Sequence, residues 1–349
     1  MPNIYVKNIN IDESKFRFFN IRENKCFSIH GLMHDGIAFR RMPEEVAKTV
    51  SPAVHGLHDV TAGGRVRFTT DSKTIVLKVE LQNIHLDSNT TLTCNAGFDI
   101  YERKERHQYF VGNFMPPFEL TDAYTDFLTL GDKKERELVI NFPMCSGVKE
   151  LYIGIEEDAS LCPPTDYTLT RPVVFYGSSI TMGKCATRPG CIYENILSQR
   201  LDFDFVNLGF GGAAKGEQEI ADYIASLDAS LFVLDYDHNA PTVEHLKKTH
   251  LNFYETVRKA NPTLPILMMT RPKYDLTDEE TRRLNAVKEN YEKALADGDK
   301  NVYFIPGNTL MDDFICDGGT IDGIHPTDAG FFSMARKIFP LVKEILSLG

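Results

Sequence analysis

The chain has 349 residues, enough for two domains, and its 42% hydrophobic and 25% charged content is that of a soluble globular protein with little room for long disorder. A formal net charge of -11, with lysines and arginines scattered along the chain, argues against a nucleic-acid partner. No run approaches the roughly 18 apolar residues of a membrane helix, so no membrane partner is expected either.

The first residues, "MPNIYVKNINIDESKF", lack the cationic start and apolar stretch of a secretory signal, and a cytoplasmic location is expected. The seven cysteines are odd in number, dispersed and without a C-x-x-C pair, which points to reduced thiols. Cys185 and Cys191 are the one close pair, where a disulfide is open but not needed. His30, His34, His55, His58 and His85 fall in the first half without tight ligand spacing, so no metal is expected there, and no cofactor is called for.

From Arg65 to about Glu156 the pattern has period two. In "TIVLKVEL", Ile75, Leu77, Val79 and Leu81 share one face and Lys78 and Glu80 the other, as in a half-buried strand. Similar alternation in "RVRFTT", "ELVINF" and "LYIGIE", punctuated by Gly, Asp, Asn and Pro, predicts a β-sandwich. The charged run "ERKERH" (Glu102 to His107) reads as a solvated strand face or hairpin. "LCPPTDYTLTRP" then reads as a linker.

Beyond it, apolar strands alternate with amphipathic helices. "VVFYG", "FDFVNLG", "SLFVLDYD", "PILMMTRP" and "NVYFIPG" are strands, and "IYENILSQRL", "EQEIADYIASL", "VEHLKKTHLNFYETVRKAN", "DEETRRLNAVKENYEKALAD" and "DAGFFSMARKIFPLVKEIL" are helices. That alternation implies a parallel sheet covered on both faces, with any site at the carboxyl ends of the strands. Polar or glycine-rich loops stand where those ends fall: "GSSIT", "NLGFGG", "DYDHN" and, before the last helix, "DGIHP".

A serine attacks well only when a base takes its proton and a partner fixes the base. Asp322 and His325, three residues apart in a turn, can share one side and supply both, although alone they would pass for a turn aspartate and a surface histidine. "GSSIT" alone would pass for a turn or helix cap, and it is not the G-x-S-x-G elbow of the α/β-hydrolases, because Thr181 stands in place of the last glycine. "NLGFGG" lacks the G-x-G-x-x-G register of a dinucleotide site; a glycine there can instead offer its N–H to an oxyanion, with an asparagine such as Asn239 as a further donor. Arg271 follows the fourth strand and can reach the rim or form a structural ion pair.

Taken in order, these blocks resemble those of the SGNH hydrolases, the GDSL-type lipases and esterases, from about residue 170 to the C-terminus. The resemblance implies a three-layer α/β/α flavodoxin-like catalytic domain (166–349), with Ser179 as nucleophile, His325 and Asp322 completing the triad, and Ser179, Gly212 and Asn239 forming the oxyanion hole. The usual G-D-S block stands here as "GSS", with Ser178 replacing the aspartate, and the G-x-N-D block has lost its glycine and aspartate in "DYDHNA". The first half (1–165) is similar to an accessory all-β sandwich, jelly-roll-like, that precedes some members; "RVRFTTDS" and "GFDIY", close to G-x-D-L-Y, carry that likeness. Members with this architecture resemble carbohydrate acetylesterases. The expected function is therefore serine-esterase hydrolysis of short-chain, acetyl-sized esters on a small molecule or oligosaccharide. The alternatives are a thioesterase or lysophospholipase with the same triad, or a catalytically impaired carbohydrate-binding protein; a homo-oligomer is left open.

Overall fold

Two antiparallel sheets face one another in the first half of the computed structural model, which describes residues 11–348. The signal-peptide reading of residues 1–10 lies outside the described residues. One sheet has four strands in the order Phe16–Asn20, Gly147–Glu156, Thr74–Gln82 and Ala123–Thr129. The other runs Leu161–Cys162, Arg65–Thr70, Arg136–Asn141, Phe98–Lys104 and His107–Phe114, with Ser28–His30 also paired to Arg65–Thr70. Ile75, Leu77, Val79 and Leu81 point inward as their alternation predicts, and they pack with Val66, Phe68, Leu138, Ile140, Leu151 and Ile153 in one core.

The parallel sheet of the second half has five strands in the order Phe203–Gly209, Leu169–Gly177, Leu231–Asp235, Ile266–Met269 and Val302–Ile305. Numbered within this unit that order is 2-1-3-4-5, the flavodoxin-like winding whose switch point lies beside the first strand. Each strand is buried on both faces: Val174, Tyr176, Leu208 and Leu234 enter one core, while Val173, Phe175, Phe205 and Val233 enter the other. The helices Gln218–Ala225, Val243–Ala260 and Asp278–Ala296 cover the first face, and Tyr193–Leu201 with Asp328–Ile345 cover the second.

The two halves interlock. Period two would turn Arg65 and Arg67 of "RVRFTT" to solvent, yet both are fully buried, because the α/β unit lies against Arg65 and the linker stretch, with Thr165 and Tyr167, against Arg67. Arg65 pairs with Asp204 and lies 3.7 Å from the centre of the Phe205 ring. The "ERKERH" run does form a hairpin, its turn at Glu105 and Arg106. Arg103 within it is not solvated, since it bridges Asp202 at 2.6 Å and Glu137 at 3.3 Å. The "GFDIY" stretch carries a buried latch: Asp99 accepts from Gly190 N at 2.7 Å and Arg188 Nη1 at 2.8 Å of the second half, and from Asn141 Nδ2 at 2.8 Å of its own sheet. Burial raises the Asp99 carboxyl, and those three donors work against the rise.

The linker stretch is likewise tied down. Leu161–Cys162 pairs in a sheet, and Thr168 Oγ1 donates to Asp202 at 2.7 Å. Sequence periodicity gives no account of the segment before Arg65, which folds into the helices Glu44–Val50 and Pro52–His55. Met42, Ala47 and Val54 from this segment join the core of the α/β unit rather than that of the sandwich. Buried Arg41 reaches across to donate to Gly209 O at 2.6 Å and Leu57 O at 2.6 Å, fixing the end of the second parallel strand.

Candidate active site

The serine loop is shaped by local rules. The first parallel strand ends at Gly177, and Ser178 then adopts an extended conformation (φ -84, ψ -162) as N-cap of the short helix Ser179–Met182, its Oγ accepting from Ile180 N at 3.1 Å. An aspartate caps in the same way, so Ser178 fills the structural place of the family aspartate. Gly209, at the end of the neighbouring strand, leaves room for this helix to lie across it, for a side chain there would strike the Met182 amide. Ser179 emerges at the start of the helix, 8% exposed, with its hydroxyl open to a cavity.

His325 Nε2 lies 2.9 Å from Ser179 Oγ, and its Nδ1 lies 2.7 Å from Asp322 Oδ2. The turn that joins the two holds the carboxylate, since Asp322 Oδ1 accepts from the N–H groups of His325 at 2.8 Å and Ile324 at 3.0 Å. Partial burial would raise the Asp322 carboxyl, but these bonds and the neighbouring imidazole outweigh it and bring the group down to about 2. An ionised Asp322 accepts a hydrogen bond from Nδ1–H and so keeps the ring's proton on that nitrogen, which leaves the Nε2 lone pair for the serine hydroxyl. Asn89 Nδ2, from the sandwich half, adds a hydrogen bond to Asp322 Oδ2 at 3.3 Å.

Gly212 and Asn239 border the same cavity. Gly212 has φ +68, which turns the chain after Phe210, and nothing crowds the space where a side chain would project. Among the described residues no backbone acceptor takes the N–H of Ser179 or of Gly212. One amide proton of Asn239 is anchored on Phe210 O at 3.2 Å, and a primary amide keeps a second. Four of the five sequence-derived residues, Ser179, Gly212, Asn239 and His325, thus line one opening, and Asp322 is hydrogen-bonded to His325.

That opening is a cavity of about 710 Å³, and both halves of the protein wall it. Leu57, Val60, Ile84 and Leu86 supply apolar surface from the first half; Lys184 pairs with Asp87 at 2.9 Å across the divide. Charge and apolar surface therefore share one pocket. The loop carrying His85 to Asp87 gives no signal in the sequence, because a wall made by a second domain has no spacing relative to the residues it faces. Two buried acids stand at the end of the third parallel strand: burial pushes the Asp235 carboxyl up to about 7 and the Asp237 carboxyl up to about 6, each against weaker hydrogen-bond help. Arg271 pairs with Glu280, as the ion-pair reading has it, and sends Nη1 toward Nδ1 of the cavity-lining His238 at 2.8 Å.

Residues 170–343 match the model of the GDSL-like lipase/acylhydrolase family, and residues 16–161 match that of the GxDLY N-terminus of SGNH-hydrolase-type esterases. Among solved structures, one described as a GDSL-like lipase from Bacteroides ovatus superposes with a TM-score of 0.86 at 28% identity, covering 96% of this chain and 99% of that one. The salicylyl-acyltransferase SsfX3 from a tetracycline biosynthetic pathway gives a TM-score of 0.79 at 18% identity, covering 96% and 99% of the two chains. A family two carbohydrate esterase from Cellvibrio japonicus gives 0.62 at 13% identity, covering 95% and 98%. No match is found among curated proteins.

Proposed function

Because this chain belongs to the SGNH hydrolases, with residues 170–343 in the GDSL-like lipase/acylhydrolase family, we propose that it is a serine esterase that removes short acyl groups, acetyl in size, from carbohydrate esters. The observation that carries this reading is the relay from Ser179 Oγ to His325 Nε2 at 2.9 Å and from His325 Nδ1 to Asp322 at 2.7 Å, opening into a cavity.

His325 takes the hydroxyl proton as Ser179 Oγ adds to the ester carbonyl, and ionised Asp322 stabilises the imidazolium. The negative charge on the former carbonyl oxygen is met by the N–H groups of Ser179 and Gly212 and by the free amide proton of Asn239. Removing one such donor typically costs about 3 kcal/mol of barrier. Collapse breaks the bond to the alcohol oxygen, which leaves with the proton from His325 and yields acyl-Ser179. Water then attacks with His325 again as base, and the acid leaves.

A polar alcohol portion is supported by the charged and hydrogen-bonding groups among the walls, Asp87, Lys184 and His238, and by carbohydrate esterases among the proteins that share the fold. A small acyl group is supported by the compact apolar surface of Leu57, Val60 and Met182. The test is acetate release from acetylated oligosaccharides, together with labelling by a fluorophosphonate. Wild type should release acetate and be labelled, and Ser179→Ala should lose both by at least about 10³-fold. Turnover of long-chain lipid esters or acyl thioesters without sugar acetates would move the substrate to those classes; sugar binding without labelling would make the protein a lectin.

A further inference from the structure

One imidazole in the cavity has no part in the relay. His238 precedes Asn239 in the turn Asp237–Asn239 at the end of the third parallel strand, and it lines the same cavity as Ser179 and His325. Its Nδ1 lies 2.8 Å from Arg271 Nη1. A guanidinium has donors only, so Nδ1 must accept and carries no proton. A neutral ring then has its single proton on Nε2. Arg271 cannot swing away freely, because it pairs with Glu280 and its backbone N–H donates to Asp237 Oδ1 at 3.0 Å.

The charged groups around His238 favour that neutral form. Burial, then Arg271, His325 and Arg283, bring the ring down to about 3, and Asp322 alone works in the other direction. Nε2 meets no protein acceptor among the described residues and is not among the buried polar atoms left without a partner, so it is accessible on a ring that lines the cavity. His325 must return its proton to the departing alcohol oxygen, so the alcohol portion sits on the side of His325. His238 lines the same cavity as His325.

We propose that His238, held by Arg271 as the Nε2–H tautomer, is a substrate-binding residue that donates a hydrogen bond to an oxygen of the alcohol portion, a sugar hydroxyl or ring oxygen. This rests on the esterase reading above. A donor without charge discriminates by geometry, favouring alcohols that carry an acceptor beside the ester over aryl or hydrocarbon alcohols, which leave the N–H unpaired.

The first test compares kcat/KM for an acetylated sugar and for 4-nitrophenyl acetate in wild type, His238→Phe and His238→Asn. The preference for the sugar ester should fall about tenfold in His238→Phe, and His238→Asn, which keeps a side-chain N–H, should recover part of it. An unchanged preference in a working enzyme overturns the proposal alone. Loss of Ser179-dependent turnover of both esters in wild type overturns the esterase reading, and the proposal with it. The second test needs no turnover: nitrogen NMR of labelled histidine should show one ring, absent from His238→Asn, as a non-titrating Nε2–H tautomer from about pH 5 to 8. Arg271→Met, which removes the donor at Nδ1, should let that ring take the Nδ1–H tautomer as well. A His238 ring that titrates there in wild type, or that carries its proton on Nδ1, refutes the assignment.

Discussion

Replacing Asp99 by alanine removes the acceptor at the centre of the latch between the two halves. The carboxylate is fully buried and faces three donors, Arg188 Nη1 at 2.8 Å, Gly190 N at 2.7 Å and Asn141 Nδ2 at 2.8 Å. Breaking a buried pair by removing one partner costs about 3–5 kcal/mol. Arg188 is 21% exposed and can recover some hydration, so the lower half of that range, about 3 kcal/mol, is expected. Asparagine at the same position should behave differently. Asn141 Oδ1 has no partner among the described residues, so its amide can turn over and accept from the new side-chain N–H, while the new oxygen still receives Arg188 and Gly190. The expected cost of Asp99→Asn is about 1 kcal/mol. Urea unfolding of both variants, with Asp158→Ala as an exposed control expected within about 0.5 kcal/mol of wild type, measures the series. An alanine variant within about 1 kcal/mol of wild type, or an asparagine variant as damaging as alanine, would refute the latch.

The remaining predictions concern the serine loop and a buried histidine. Ser178→Ala should cost about 1 kcal/mol of stability by removing the cap on Ile180 N, whereas Ser178→Asp should keep the cap; equal melting of the two variants would mean that the cap contributes nothing. His250 is buried and its ring is brought down to about 3 by that burial alone, so the folded protein holds it neutral. The unfolded chain protonates this ring below its ordinary value of 6.5. The unfolded state then binds the extra proton, so stability falls with acidification by about 1.4 kcal/mol per pH unit for this group, from about pH 6 down toward the folded value, with no effect above. His250→Phe should flatten the stability curve by one proton's worth over that window, and a curve parallel to wild type would exclude the group as the cause.

Much of the α/β half was legible because its strands are buried on both faces and its helices on one, which leaves unmistakable periods of apolar residues. "FDFVNLG" corresponds to the strand Phe203–Gly209, and the loops "GSSIT", "NLGFGG" and "DYDHN" sit at consecutive strand ends. The sandwich half was legible as strands but not as surface. Arg65, Arg67 and Asp99 carry the charge pattern of exposed faces yet are buried, Arg65 against Asp204, Arg67 against Glu137 and Tyr167, and Asp99 against Arg188 and Gly190. Glu44–Val50 and Pro52–His55 escaped notice because two short helices give too few turns for a period to show.

The sequence by itself determined the alternation of strands and helices in the second half, the acidic charge, and, through the resemblance of its blocks, the candidates Ser179, Gly212, Asn239, Asp322 and His325, since each lies in a short stretch read in chain order. Only the tertiary structure decided that Ser179 and His325, 146 residues apart, meet at 2.9 Å, and that Leu57, Ile84 and Asp87 of the first half wall the cavity. It also decided the state of His238, whose tautomer is dictated by an arginine 33 residues away. Period and spacing act along the chain, whereas hydrogen-bond direction, burial and the meeting of two domain surfaces act through space, and no pattern in one dimension records them.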